Sequence, residues 1–349
     1  MSVEAFVAAL PKVELHVHLE GAMRPATLLA LARRNRVALP ADDEAGLREW
    51  FRFRDFDHFV DIYLACSSAL ARPEDFQRLL HDFAADQERE NVRYSEIHFT
   101  VGTHWLRGLP VDEILDAMDE AIGAVERERG VVLRLIPDIV RDVGHETADP
   151  TLEWALAAQR RGIAVALGLT GREALFPSQP YGEHFAEAAR RGLHCTAHAG
   201  EHGGAEVVAA VLDHCRAERI GHGVRVTEDG GLIDRLRRER VPLEVCPSSN
   251  VCLGLYPDVA HHAFDRLRRA GLELSVNTDD PALFGTTMTR ELLALRDAFG
   301  YTPEELAGFT LAAVRHAFLP PAEKEALAAR LRAEIAEAAE RHLGRPLEA

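Results

Sequence analysis

The residues in this chain best suited to chemistry are histidines and carboxylates placed where short apolar runs end. His16 and His18 lie in Lys12-Val13-Glu14-Leu15-His16-Val17-His18-Leu19-Glu20-Gly21, where apolar and polar residues alternate. That two-residue period is a strand's, so His16, His18 and Glu20 project from one face. Two imidazoles on one strand face can grip a metal ion. Further on, Leu193–Ala197 runs into His198-Ala199-Gly200-Glu201, Arg219–Gly221 runs into His222, and Leu272–Val276 runs into Asn277-Thr278-Asp279-Asp280-Pro281. Nitrogen and oxygen donors suit Zn²⁺, which in a catalytic site keeps one position open for water. Three histidines and a carboxylate from the last run would hold one ion. A closed structural site has no use for Glu201 and His222. A carboxyl group can protonate a ring nitrogen under attack and an imidazole can steer the proton of the attacking water. Together these groups suit hydrolytic displacement at an electron-poor ring carbon. Other histidines, such as His58, His81 and His342, read as ordinary surface or core residues.

These groups meet only if the elements carrying them converge. The apolar runs alternate with helical segments. After a helix at Pro25–Arg36, Val92–Thr100, Val131–Val140 and Ile163–Leu169 read as strands, as do Leu193–Ala197, Arg219–Gly221, Pro242–Cys246 and Leu272–Val276. Helical patterns fall between them, at Val111–Arg129, Pro150–Arg161, Gly182–Arg191 and Ala205–Ala217. With the opening strand this makes eight strand–helix units, the pattern of an α/β protein with a closed (β/α)₈ TIM barrel, whose strand ends share one rim. Residues 1–349 then form a single domain. Residues 37–91 are a helical insertion after the first strand, and their cluster of Trp50, Phe51, Phe53, Phe56, Phe59 and Tyr63 suits a lid over a pocket. The tail from Pro320 to Ala349 reads as terminal helices.

Composition narrows the function classes. Formal net charge is -16 with 47% hydrophobic residues, which disfavours nucleic acid as a partner and favours small ligands. The amino terminus lacks a basic start followed by a long apolar run, and no stretch is long enough to span a bilayer, so a soluble cytoplasmic protein is expected. The five cysteines, Cys66, Cys195, Cys215, Cys246 and Cys252, form no C-x-x-C pairs and read as buried, reduced core thiols. Lys12 and Lys324 are the only lysines, so strand four carries none to bridge two metals, and a mononuclear site follows. The H-x-E and P-C-x-x-C pattern of another zinc deaminase architecture is absent.

Pro11-Lys12-Val13-Glu14-Leu15-His16-Val17-His18-Leu19-Glu20-Gly21, His198-Ala199-Gly200-Glu201, Ile220-Gly221-His222-Gly223, Cys246-Pro247-Ser248-Ser249-Asn250 and Ser275-Val276-Asn277-Thr278-Asp279-Asp280-Pro281 resemble the ordered motifs of the adenosine and adenine deaminase family. The resemblance spans Pro11 to about Phe284. It implies a zinc-dependent barrel enzyme that converts a small 6-aminopurine substrate to a 6-oxopurine and ammonia. Residue by residue, it implies His16, His18, His198 and Asp279 as ligands of one zinc ion. Glu201 matches the proton donor to purine N1, His222 the residue that orients the attacking hydroxide, and Asp280 the carboxyl group facing N7. Gly171 aligns with the glycine whose N–H meets N3, although Gly168-Leu169-Thr170-Gly171 replaces a segment that begins with Asp in many adenosine deaminases. Glu20 stands where adenosine deaminases commonly carry an Asp that binds ribose. Glu there resembles members acting on free adenine or on 6-aminodeoxyfutalosine. An adenine nucleoside is the first expectation, free adenine the second, and a catalytically silent metal-binding scaffold the third.

Overall fold

Both faces of every strand must be covered in a parallel barrel, and the strand sequences show it: all seven residues of the first strand are buried. The structure, a computed structural model, describes residues 2–53 and 56–347; the side chains of 56 and 57, Phe56 of the aromatic cluster among them, and the last two residues of the tail lie outside it. Eight strands run in chain order around one sheet: β1 Lys12–His18, β2 Val92–Phe99, β3 Val132–Val140, β4 Ala166–Thr170, β5 His194–Ala199, β6 Arg219–His222, β7 Leu243–Val245 and β8 Leu274–Val276. Each pairs in parallel with the next. The ring closes past β8, where Val17 bridges Asp279 and the His18 N–H donates to the Asp279 carbonyl at 2.8 Å. This is a TIM barrel, as the alternation requires.

The apolar core lies between the strands and the helices, in two large clusters built around Leu15, Leu169, Val208 and Leu243 on one side and Val17, Leu80, Phe99 and Met118 on the other. Polar and charged residues, among them Glu14, Glu96, His98, Asp138, Arg219 and Glu244, are buried on these strands as well. The insertion forms helices Glu44–Trp50, Phe56–Ala69 and Pro73–Arg89. No helix among the described residues is long and apolar enough to cross a membrane.

Several local expectations are corrected. β1 stops at His18, and Glu20–Ala22 forms a 3₁₀ turn, so Glu20 does not continue the strand face. β5 and β6 run on to include His198 and His222. The tail is one helix, Pro321–Leu343, preceded by Met288–Phe299 and Pro303–His316. A helix at Val3–Ala9, capped by the Ser2 hydroxyl accepting from the Ala5 N–H, precedes β1. Four cysteines are buried, but Cys252 is exposed, because it ends the short helix Pro247–Cys252 rather than a strand.

Candidate active site

The ends of β1 and β5 and the turn after β8 bring His16, His18, His198 and Asp279 together. Their donor atoms all lie within 4.8 Å of one another, and all four residues are buried. Asp279 Oδ1 is 3.4 Å from His16 Nε2 and 3.3 Å from His18 Nε2, and His18 Nε2 is 3.1 Å from His198 Nε2. The far sides of two rings are anchored: His16 Nδ1 donates to Glu244 Oε2 at 2.8 Å, and His198 Nδ1 donates to the Leu169 carbonyl at 3.2 Å. Those bonds fix the tautomers that leave each Nε2 free as a ligand, and His16 Nε2 has no hydrogen-bond partner. Ser249 Oγ donates to Asp279 Oδ2 at 2.6 Å and holds the carboxylate in place.

The electrostatics demand a cation. Burial alone would push His16 and His18 down, yet Asp279, with Glu244 and Asp280, holds them up at about 10 and about 9. Burial and the neighbouring imidazoles push His198 well below its ordinary value. Carboxylates that outweigh burial in this way favour positive charge at the cluster, and a metal ion would supply it while the imidazoles stay neutral. The backbone is strained here: Asp279 has φ +66° and His222 has φ +62°, both rare for residues with a side chain. Space is reserved as well. A Cβ on Gly221 would stand 2.7 Å from the His16 ring, and one on Gly21 would collide with the Asp280 carboxylate.

Around the cluster lie the remaining expected residues. His222 Nε2 is 3.9 Å from Asp279 Oδ2 and 3.8 Å from Glu201 Oε2, and its other nitrogen meets the Asn250 amide at 3.2 Å. Glu201 is partly buried, with Oε2 3.4 Å from His202 and a buried Oε1 that has no partner. Burial would raise its pKa, but His222 and His202 hold it below the ordinary value. Asp280 Oδ1 is also unpartnered, and burial beside the Asp279 carboxylate pushes Asp280 well above the ordinary carboxyl range. Gly171 has φ +100°, and a side chain there would strike the Asp142 carboxylate.

A cavity of about 480 Å³ opens over these groups, lined by His18, His198, Glu201, His222, Asp279, Asp280 and Gly171 at its polar end. Its outer wall is apolar, built from Phe59, Val60, Tyr63 and Leu64 of the insertion with Val143, Leu175 and Leu253. Phe51, by contrast, is packed in the core.

Glu20 stands apart from this wall. Its Oε1 accepts from the Thr100 N–H at 3.2 Å, the Thr100 hydroxyl at 2.5 Å and His104 Nε2 at 3.2 Å, and its Oε2 faces the Tyr63 hydroxyl at 3.4 Å. The 3₁₀ turn aims the carboxylate at the end of β2.

The family model described as adenosine deaminase matches residues 11–334. The chain belongs to the adenosine deaminase family. Among relatives of this deaminase-family chain, an adenine deaminase of Cupriavidus taiwanensis is 40% identical over 314 residues, 90% of this chain and 89% of that one. An aminodeoxyfutalosine deaminase of Streptomyces coelicolor is 37% identical over 327 residues, 93% and 84% of the two chains. The crystal structure of an adenine deaminase from Arthrobacter aurescens superposes with a TM-score of 0.87 at 33% identity, covering 94% of this chain and 98% of that one. A zinc-bound amidohydrolase from Burkholderia ambifaria superposes at 0.90 with 27% identity, covering 99% and 96%.

Residues that sequence reasoning missed are those supporting the cluster: Glu244 behind His16, Ser249 behind Asp279 and Asn250 behind His222. A signal existed for each. Glu244 is a charge inside the apolar run Pro242–Cys246, and Ser249 and Asn250 belong to a motif without an assigned role.

Proposed function

We propose that this protein is a mononuclear zinc aminohydrolase that replaces the 6-amino group of an adenine ring with oxygen and releases ammonia. One observation carries the reading: a buried four-donor cluster lies at the polar end of a cavity beside two buried carboxyl oxygens, Glu201 Oε1 and Asp280 Oδ1, that have no partner. A scaffold that only bound metal would have satisfied those oxygens.

His16, His18, His198 and Asp279 would hold the zinc, consistent with their donor chemistry and with the zinc carried by the Burkholderia relative. When bound, zinc supplies a Lewis acid that brings the pKa of water towards neutrality. The remaining steps belong to side chains. His222 orients the attacking water and receives or directs its proton. Glu201, kept ionised at rest by His222 and His202, takes up that proton and delivers it to N1; the second water proton passes from the new C6 hydroxyl to the amino nitrogen, and the C6–N bond breaks to release ammonia as C6=O forms. Asp280, its proton retained by burial and by Asp279, donates to N7, and the Gly171 N–H meets N3. Helix Phe56–Ala69 covers the ring as a lid within the single barrel domain of residues 1–349.

The N9 substituent divides the proposal. A nucleoside, adenosine or 6-aminodeoxyfutalosine, is favoured by the size of the cavity, which a bare purine leaves partly empty. Free adenine is favoured by Glu20, whose acceptors are already engaged and offer little to sugar hydroxyls. Rates of ammonia release from adenine, adenosine and 6-aminodeoxyfutalosine, measured side by side on zinc-loaded protein, test both. Release from none of the three overturns the function. Glu20→Ala is expected to lower kcat/KM for adenine and adenosine alike, by about 1–3 kcal/mol, because it releases Thr100 and Tyr63, which line the cavity and which Glu20 holds in place. A loss confined to adenosine would assign Glu20 to the sugar.

A further inference from the structure

Glu173 is buried in the segment after β4, and its carboxylate is filled by backbone of another loop. Oε2 accepts from the Gly200 N–H at 2.8 Å, and Oε1 accepts from the Glu201 and Gly203 N–H groups, each at 2.8 Å. Amides of one short turn converging on an anion form a nest, and hydrogen bonds to a charged acceptor are roughly twice as strong as neutral ones. The glycines make the approach feasible. Gly200 turns the chain at φ +71°, and a Cβ on Gly203 would stand 3.2 Å from the Glu173 carboxyl carbon. The turn that carries Glu201 is thus tied to the residue two positions beyond Gly171.

We infer that Glu173 is a positioning residue, which sets the Glu201 carboxyl against the purine by clamping the backbone that carries it to the Gly171 segment. This rests on the deaminase reading above. Arg172, Ala174 and Leu175 on either side of Glu173 line the cavity. A substrate seated against them therefore bears on the clamp, and its arrival and the placing of the acid are mechanically linked.

The test uses the full-length zinc-loaded protein and whichever 6-aminopurine the wild type turns over best. Glu173→Gln keeps the volume but replaces one acceptor oxygen with a donor facing an N–H. Its kcat is expected to fall by on the order of a hundredfold, the scale of a small misplacement of a reacting group, while KM and zinc content stay near wild type. The limb of the kcat–pH profile governed by Glu201 should move, and amide hydrogen exchange in the 199–204 segment should accelerate. Glu173→Asp, which keeps the charge, should recover part of the rate. Glu206→Gln serves as the control: Glu206 accepts the Gly204 N–H of the same turn at 3.2 Å, and its loss should leave kcat unchanged. A Glu173→Gln protein with wild-type kcat and pH profile and merely a lower melting temperature overturns the inference, as does failure of both Glu173 variants to fold, since either result makes Glu173 a scaffold residue. If the wild type deaminates nothing, the deaminase reading falls and the exchange of segment 199–204 alone decides the clamp.

Discussion

Arg219, a fully buried charge, and Glu201, whose Oε1 is buried, come from neighbouring parts of one barrel and are housed in opposite ways. Arg219, at the start of β6, donates to Glu244, to Glu96 Oε2 at 2.6 Å and to the His316 carbonyl at 2.9 Å, and lies 3.6 Å over the Phe318 ring. Glu96 in turn accepts from the Phe318 N–H at 2.6 Å and the Tyr94 hydroxyl at 2.7 Å. At the other end of the strands, His16 Nε2, His98 Nε2, Glu201 Oε1 and Asp280 Oδ1 are buried without partners. The first arrangement stabilises a fold; the second stores unmet demand for a ligand, as expected of the carboxyl ends of barrel strands. Glu244 joins the two, because one oxygen binds Arg219 and the other orients His16.

Four experiments press on that contrast, from the largest effect to the smallest. Removal of the bound metal by a chelator is expected to abolish ammonia release while leaving the far-ultraviolet circular dichroism intact, because the apolar clusters and the Arg219 network hold the barrel without it. Collapse of the dichroism on chelation would erase the distinction between the two ends. Arg219→Met strands Glu96 and Glu244, and should lower the unfolding free energy in urea by about 3–5 kcal/mol, the cost of breaking a buried charge pair. Glu201→Gln should do the reverse: unchanged urea midpoint and metal content, with kcat reduced by roughly a hundredfold or more. Near-normal turnover would remove Glu201 from the proton path.

The smallest effect concerns Glu291, buried and accepting from the Ser248 N–H at 3.1 Å and from the Thr286 hydroxyl. Burial outweighs those bonds and raises its pKa to about 7 from an ordinary 4.5. A carboxyl whose folded pKa is raised contributes stability fully below the unfolded value and loses it as pH rises through the folded one. The urea midpoint should therefore drop between about pH 4.5 and pH 7, and Glu291→Gln should flatten that dependence. An unchanged slope in the variant would place the titration elsewhere.

The donors were legible because each is a local signal. The alternation through His16 and His18, and the polar residues closing the runs before His198, His222 and Asp279, need only the period of a strand and the turn that ends it. The partners were not legible in the same way. His16 and Glu244 are 228 positions apart, and Glu20 and Thr100 are 80 apart. No local period links such pairs.

Glu20 marks the boundary most clearly. Its sequence pattern extends the strand by one more polar position, whereas the chain leaves the sheet after His18 and turns the carboxylate towards Thr100 and His104. The sequence alone determined the alternation of strands and helices, the chemical types at the strand ends and the absence of a lysine on β4, since all three are properties of residue order. Only the tertiary structure decided which of those groups are satisfied and which are left open, because satisfaction of a buried polar atom depends on what the rest of the chain brings within hydrogen-bond reach.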